Sequence, residues 1–105
     1  MPASRKRSKT GGRKAPQPPQ FICPCCGYVT LAERGAYLIC AICFWEDEDI
    51  LYDKNPREPS AANHGLTLAE ARENFRAIGA CEAAILPHVL PEEQRAAYLH
   101  FPLDT

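Results

Sequence analysis

Residues 21–49 read FICPCCGYVTLAERGAYLICAICFWEDED, and the reading of this stretch decides the fold. It contains two C-x-x-C pairs, Cys23/Cys26 and Cys40/Cys43, with thirteen residues between Cys26 and Cys40. A tetrahedral zinc ion takes four thiolates at about 2.3 Å, and a C-x-x-C turn brings two sulfurs together. Gly27 lets the chain turn sharply while backbone amides point at sulfur, and Pro24 stiffens the first knuckle. Segments 28–31 and 36–39 have strand composition, and Glu33-Arg34-Gly35 supplies turn chemistry. A hairpin between the two pairs is therefore expected, returning the chain so that both knuckles face one metal.

That arrangement resembles a zinc ribbon. The expected fold is small α+β: a zinc-ribbon-like β-hairpin with two CxxC knuckles packed against one or two C-terminal helices. The expected ligands are Cys23, Cys26, Cys40 and Cys43, holding one Zn(2+) per chain. Cys25 is the complication, because CPCC places it beside Cys26 as a competing ligand or as a reactive thiol. The C-P-x-C-G pattern favours Cys23 and Cys26. A C-x-x-C can also be a redox pair, but redox motifs of the thioredoxin type sit in a βαβ setting that this sequence lacks. Four thiolates close a tetrahedral shell and leave no place for a reacting water, so the site points to stability over catalysis.

Downstream of Cys43 comes Phe44-Trp45-Glu46-Asp47-Glu48-Asp49. Its plain reading is an aromatic pair packed over the knuckle and four acids forming a solvated face. The sharper one is a recognition surface for a protein partner built from Trp45, Glu46, Asp47, Glu48 and Asp49, with Asn63 and His64 from the next loop. His64 as a general base lacks a second ligand or base at a recognisable spacing.

Pro56, Pro59, Ser60, Asn63 and Gly65 mark residues 54–65 as a loop. Thr67-Leu68-Ala69-Glu70 is a capping box, and Leu68, Ala71, Phe75 and Ile78 follow on one helical stripe that Gly79 ends. This helix is expected to cover the hairpin. Cys81 reads as a small core residue, and Pro91 opens a second short helix through about Leu99.

The 105 residues carry a formal net charge of −1 that conceals a split. Residues 1–20 hold Arg5, Lys6, Arg7, Lys9, Arg13 and Lys14 with no acid, giving +6; the other six Lys and Arg against all 13 acids give −7. The first twenty residues have almost nothing apolar to bury, so they are expected to form a disordered basic Pro/Gly-rich tail ahead of a domain at 21–105. Those six cations are the candidate nucleic-acid contacts, although no aromatic residue is interleaved for base stacking. No apolar run approaches the ~20 residues of a membrane helix. No apolar stretch follows the basic start as in a secretory signal, so no membrane role and a cytoplasmic location are expected.

The stretches CPCCGYVTL, YLICAICFWEDED and NHGLTLAEARENFRAIGAC together resemble the bacterial cysteine-rich CPCC family over about residues 21–82, leaving 83–105 as a helical extension. The resemblance implies a small zinc-binding domain and supplies no reaction. The leading expectation is a non-enzymatic binding module with a four-cysteine structural zinc site. Its alternatives are nucleic-acid binding through the tail and a thiol-redox or metal-dependent enzyme.

Overall fold

The computed structural model describes residues 18–103. Of the basic tail, residues 1–17 and so all six of its cations lie outside the described residues.

Four short strands form two separate antiparallel ribbons. Strand β1 (Phe21–Ile22) pairs with β2 (Val29–Leu31), Ile22 facing Val29. Strand β3 (Leu38–Ile39) pairs with β4 (Glu46–Asp47), Ile39 facing Glu46. The two segments expected to pair with each other, 28–31 and 36–39, therefore belong to different ribbons. The reason is local closure. Each C-x-x-C turn already reverses the chain, so the strands nearest to it in sequence meet first and at lower entropic cost than partners across the longer connection.

The two ribbons repeat one another at an offset of seventeen residues. In the first, the Cys23 amide donates to the Tyr28 carbonyl at 2.8 Å and the Gly27 amide to the Cys23 carbonyl at 2.9 Å. In the second, the Cys40 amide donates to the Trp45 carbonyl and the Phe44 amide to the Cys40 carbonyl, both at 2.9 Å.

Helix α1 is a single turn at Leu51–Lys54, and α2 spans Leu68–Ile78. The capping box forms as the sequence predicts: Thr67 Oγ1 accepts from the Glu70 amide and the Glu70 carboxylate accepts from the Thr67 amide. Gly79 closes the helix in the left-handed conformation, at φ +82°. Leu68 and Ala71 are fully buried and join Leu31, Ile42, Trp45, Cys81 and the knuckle cysteines in one core. Phe75 is half-buried against that core, whereas Ile78 is exposed, because the last helical turn overruns the small core. The second helix expected from Pro91 is a 3-10 segment, Glu92–Ala97, preceded by another at Ala83–His88.

The last described residues are stitched back to the first knuckle. The Val29 amide donates to the Leu99 carbonyl at 2.9 Å and the Phe101 amide to the Gly27 carbonyl at 2.8 Å. Among the described residues, no helix is long and apolar enough to cross a membrane.

Candidate metal centre

Cys23 and Cys26 come from the turn between β1 and β2, Cys40 and Cys43 from the turn between β3 and β4. All four are buried, and their sulfurs lie within 4.8 Å of one another. Cys23 Sγ is 3.6 Å from Cys43 Sγ, and Cys26 Sγ is 3.7 Å from Cys40 Sγ. Ligands held about 2.3 Å from a tetrahedral ion lie roughly 3.8 Å from each other. The spacing fits a metal with four sulfur ligands, and none of the six cysteines is in a disulfide.

The backbone around the sulfurs is arranged for negative charge. The amides of Ile42 and Cys43 donate to Cys40 Sγ at 3.4 and 3.5 Å, the Cys25 amide to Cys23 Sγ at 3.4 Å, and the Trp45 amide to Cys43 Sγ at 3.5 Å. Thr30 Oγ1 adds a hydroxyl bond to Cys40 Sγ at 3.1 Å. Hydrogen bonds from Cys23, Cys26 and Cys43, with a smaller one from Thr30, pull the Cys40 thiol well below its usual range. Burial pushes Cys23 and Cys43 the other way. Four anionic sulfurs this close repel one another in a dry core, so a cation among them is what makes the thiolate state favourable.

Cys25 is buried but stands outside the four-sulfur cluster, contributing its backbone amide. Cys81 lies in the core, its amide donating to the Cys43 carbonyl at 2.9 Å. Its thiol is pushed up to about 12 by burial and then by the charge of Cys25.

Three of the seven residues of the expected recognition surface are taken into the protein. Trp45 and Asp47 are each 1% exposed and Asn63 is 5% exposed. A knuckle this small needs its neighbouring aromatic for core volume, and its acids for satisfying buried donors. Asp47 Oδ2 accepts from Arg34 Nε and from the Gly35 amide, each at 2.8 Å, which fixes the turn joining the two ribbons. Burial alone would lower the Arg34 pKa, but Asp47 and Asp53 outweigh it and hold the guanidinium charged. Glu48 accepts from Ser60 Oγ at 2.8 Å, and Glu46 has its backbone clasped on both sides by the Asn63 side-chain amide. Asp49 is exposed, its carboxylate accepting from the Leu51 amide. His64 is exposed, and its Nδ1 donates to the Glu82 carboxylate.

Two features of the site escape motif reading. Thr30 carries no spacing signal, and the partnership of Asp47 with Arg34 crosses thirteen residues. The seventeen-residue offset between CPCCG and CAICF is the signal that exposes the paired ribbons.

Two knuckles closing on four clustered thiols define a small cysteine-rich protein with a site positioned to bind a metal ion. The chain belongs to the family described as cysteine-rich CPCC, whose profile matches residues 21–96. The match runs past residue 82, takes in the 3-10 segment Ala83–His88 and ends within the one at Glu92–Ala97. Comparison with curated proteins and with solved structures returned no match.

Proposed function

We propose that this chain is a non-enzymatic binding module organised by one structural zinc ion on Cys23, Cys26, Cys40 and Cys43. The observation that carries the reading is the sulfur spacing, 3.6 and 3.7 Å across the two knuckles, among four buried cysteines. Bound there, the ion supplies a cross-link between the ribbons and offsets thiolate repulsion. Four sulfur donors around a tetrahedral ion suit zinc or iron. Zinc is the reading adopted, since a d¹⁰ ion accepts this geometry without a redox role. Native mass spectrometry of protein purified without added metal tests it. One zinc per chain, with unfolding when a chelator removes it, supports the reading. A coloured iron-loaded protein, or a metal-free one that stays folded, overturns it.

A binding role places partner recognition on what remains exposed near the second knuckle, Asp49 and His64, and the working location is the cytoplasm. A second reading rests on the charge split of the sequence: Arg5, Lys6, Arg7, Lys9, Arg13 and Lys14 give the N-terminal segment the electrostatics of a nucleic-acid contact. Affinity for DNA and RNA measured against salt, with and without residues 1–20, tests that arm. A salt slope unchanged by the deletion sinks it.

A further inference from the structure

Between residues 18 and 103 the chain carries twelve Asp and Glu against six Lys and Arg. Three of those six, Arg72, Arg76 and Arg95, nevertheless line one groove of about 500 Å³ beside the first knuckle, together with His100. Glu92 is the one carboxylate among its lining residues.

Two of these arginines are held in place by backbone rather than by counter-charge. Arg72 Nε donates to the Pro24 carbonyl at 2.8 Å; Arg95 donates through Nε to Leu90 at 2.9 Å and through Nη2 to Gly79 at 3.0 Å. Among the described residues neither has a carboxylate within ion-pair distance; the ion pairs present belong to Arg34 and His64. Arg95 is only 9% exposed. A guanidinium buried that far with no ion-pair carboxylate among the described residues sits in a poorly solvated place, which is costly until an anion arrives. Arg76 is engaged in an interaction of its own, and the inference does not draw on it.

Three of the other lining residues, Tyr28, Phe75 and His100, are aromatic. His100 stacks on Tyr28 with ring centres 3.9 Å apart, Tyr28 meets Phe75 edge-on, and Arg95 lies over the Phe75 ring at 5.5 Å. His100 Nε2 donates to the Cys26 carbonyl, so this wall is anchored on the knuckle itself.

We propose that this groove binds a small ligand bearing an oxyanion, phosphate or carboxylate, on a planar ring: Arg72 and Arg95 take the oxyanion and the Tyr28–Phe75–His100 wall takes the ring. The groove borders the first knuckle, with Cys25 and Cys26 among its lining residues, while the groups proposed to hold the ligand are Arg72, Arg95, Tyr28, Phe75 and His100.

The test titrates the full chain, purified with its own metal, with phenyl phosphate, benzoate and uncharged benzyl alcohol, following amide and arginine Nε signals by NMR. Saturable shifts at Arg72, Arg95 and His100 with an anionic probe are expected, weakening as salt rises. Benzyl alcohol, and either anion on Arg72→Gln, should bind at least about tenfold more weakly. Tighter phenyl phosphate assigns the ligand to phosphate esters, and tighter benzoate to carboxylates. No saturable shift with either anion, equal binding of benzyl alcohol, or undiminished binding by a folded Arg72→Gln overturns the proposal. The wild-type titrations decide the matter should that variant not fold.

Discussion

Phe44 occupies in the second knuckle the left-handed position that Gly27 occupies in the first, at φ +73° against +84°. The equivalence follows from the seventeen-residue repeat, since each residue comes directly after the second cysteine of its pair. What differs is the space around them. A Cβ on Gly27 would lie 2.4 Å from the Phe101 carbonyl oxygen, whereas the Phe44 ring is half-buried and tilts against His88 at 5.8 Å.

Gly27→Ala is accordingly predicted to be severe. It combines strained backbone with a clash against main chain that is itself hydrogen-bonded to Gly27, and should cost about 3 kcal/mol or more. Thermal unfolding of the metal-loaded protein should show a Tm lower by more than roughly 12 °C. Phe44→Gly relieves strain while losing ring contacts, so its net effect should stay within about 1 kcal/mol.

Thr30→Val removes the hydroxyl bond to Cys40 while keeping the branched shape of a β2 residue. Metal affinity, measured by competition with a chromogenic chelator, should fall by about 10–100-fold, with the fold retained in excess metal. Unchanged affinity would show that the hydroxyl does not support the thiolate.

Cys25 and Cys26 are neighbours in sequence with different surroundings. Cys26→Ala removes one of the four clustered sulfurs, and the protein should lose stoichiometric metal and unfold. Cys25→Ala leaves all four sulfurs and the Cys25 backbone amide in place. It should keep one metal per chain, with a modest stability cost of about 1–2 kcal/mol for the buried sulfur. Equal metal loss in both variants would count against the assignment.

Asp47→Asn should destabilise the protein by about 2–3 kcal/mol in denaturant titration, because it leaves the Arg34 guanidinium without its buried carboxylate. Asp49→Asn, at an exposed site, should stay within about 0.5 kcal/mol. Partner capture is therefore best probed with Asp49→Asn and His64→Gln, which leave Asp47 intact. A neutralisation of all four acids from Glu46 to Asp49 would report unfolding in place of binding.

The four-cysteine cluster was legible early because it rests on local chemistry. Four cysteines at two tight spacings leave few geometries in which their sulfurs can lie, and the capping box of α2 is likewise written within four residues. The strand pairing was not legible. Segments 28–31 and 36–39 have the composition of partners, yet a turn that already reverses the chain at each knuckle wins over a longer closure. Nor was the division of the acidic run into buried and exposed acids legible. Charge density says nothing about which acid is buried against Arg34.

By itself, then, the sequence determined the ligand-type residues, the family, the capped helix and the split of charge between residues 1–20 and the rest, all short-range or compositional properties. Only the tertiary structure decided that Cys25 stands outside the cluster, that Asp47 and Asn63 are internal fasteners, and that Arg72, Arg95 and His100 converge on one groove. Those three lie in α2, in a 3-10 turn and in the segment that follows it. Their meeting depends on Leu99 and Phe101 pairing with the first knuckle, a long-range contact that no local pattern encodes.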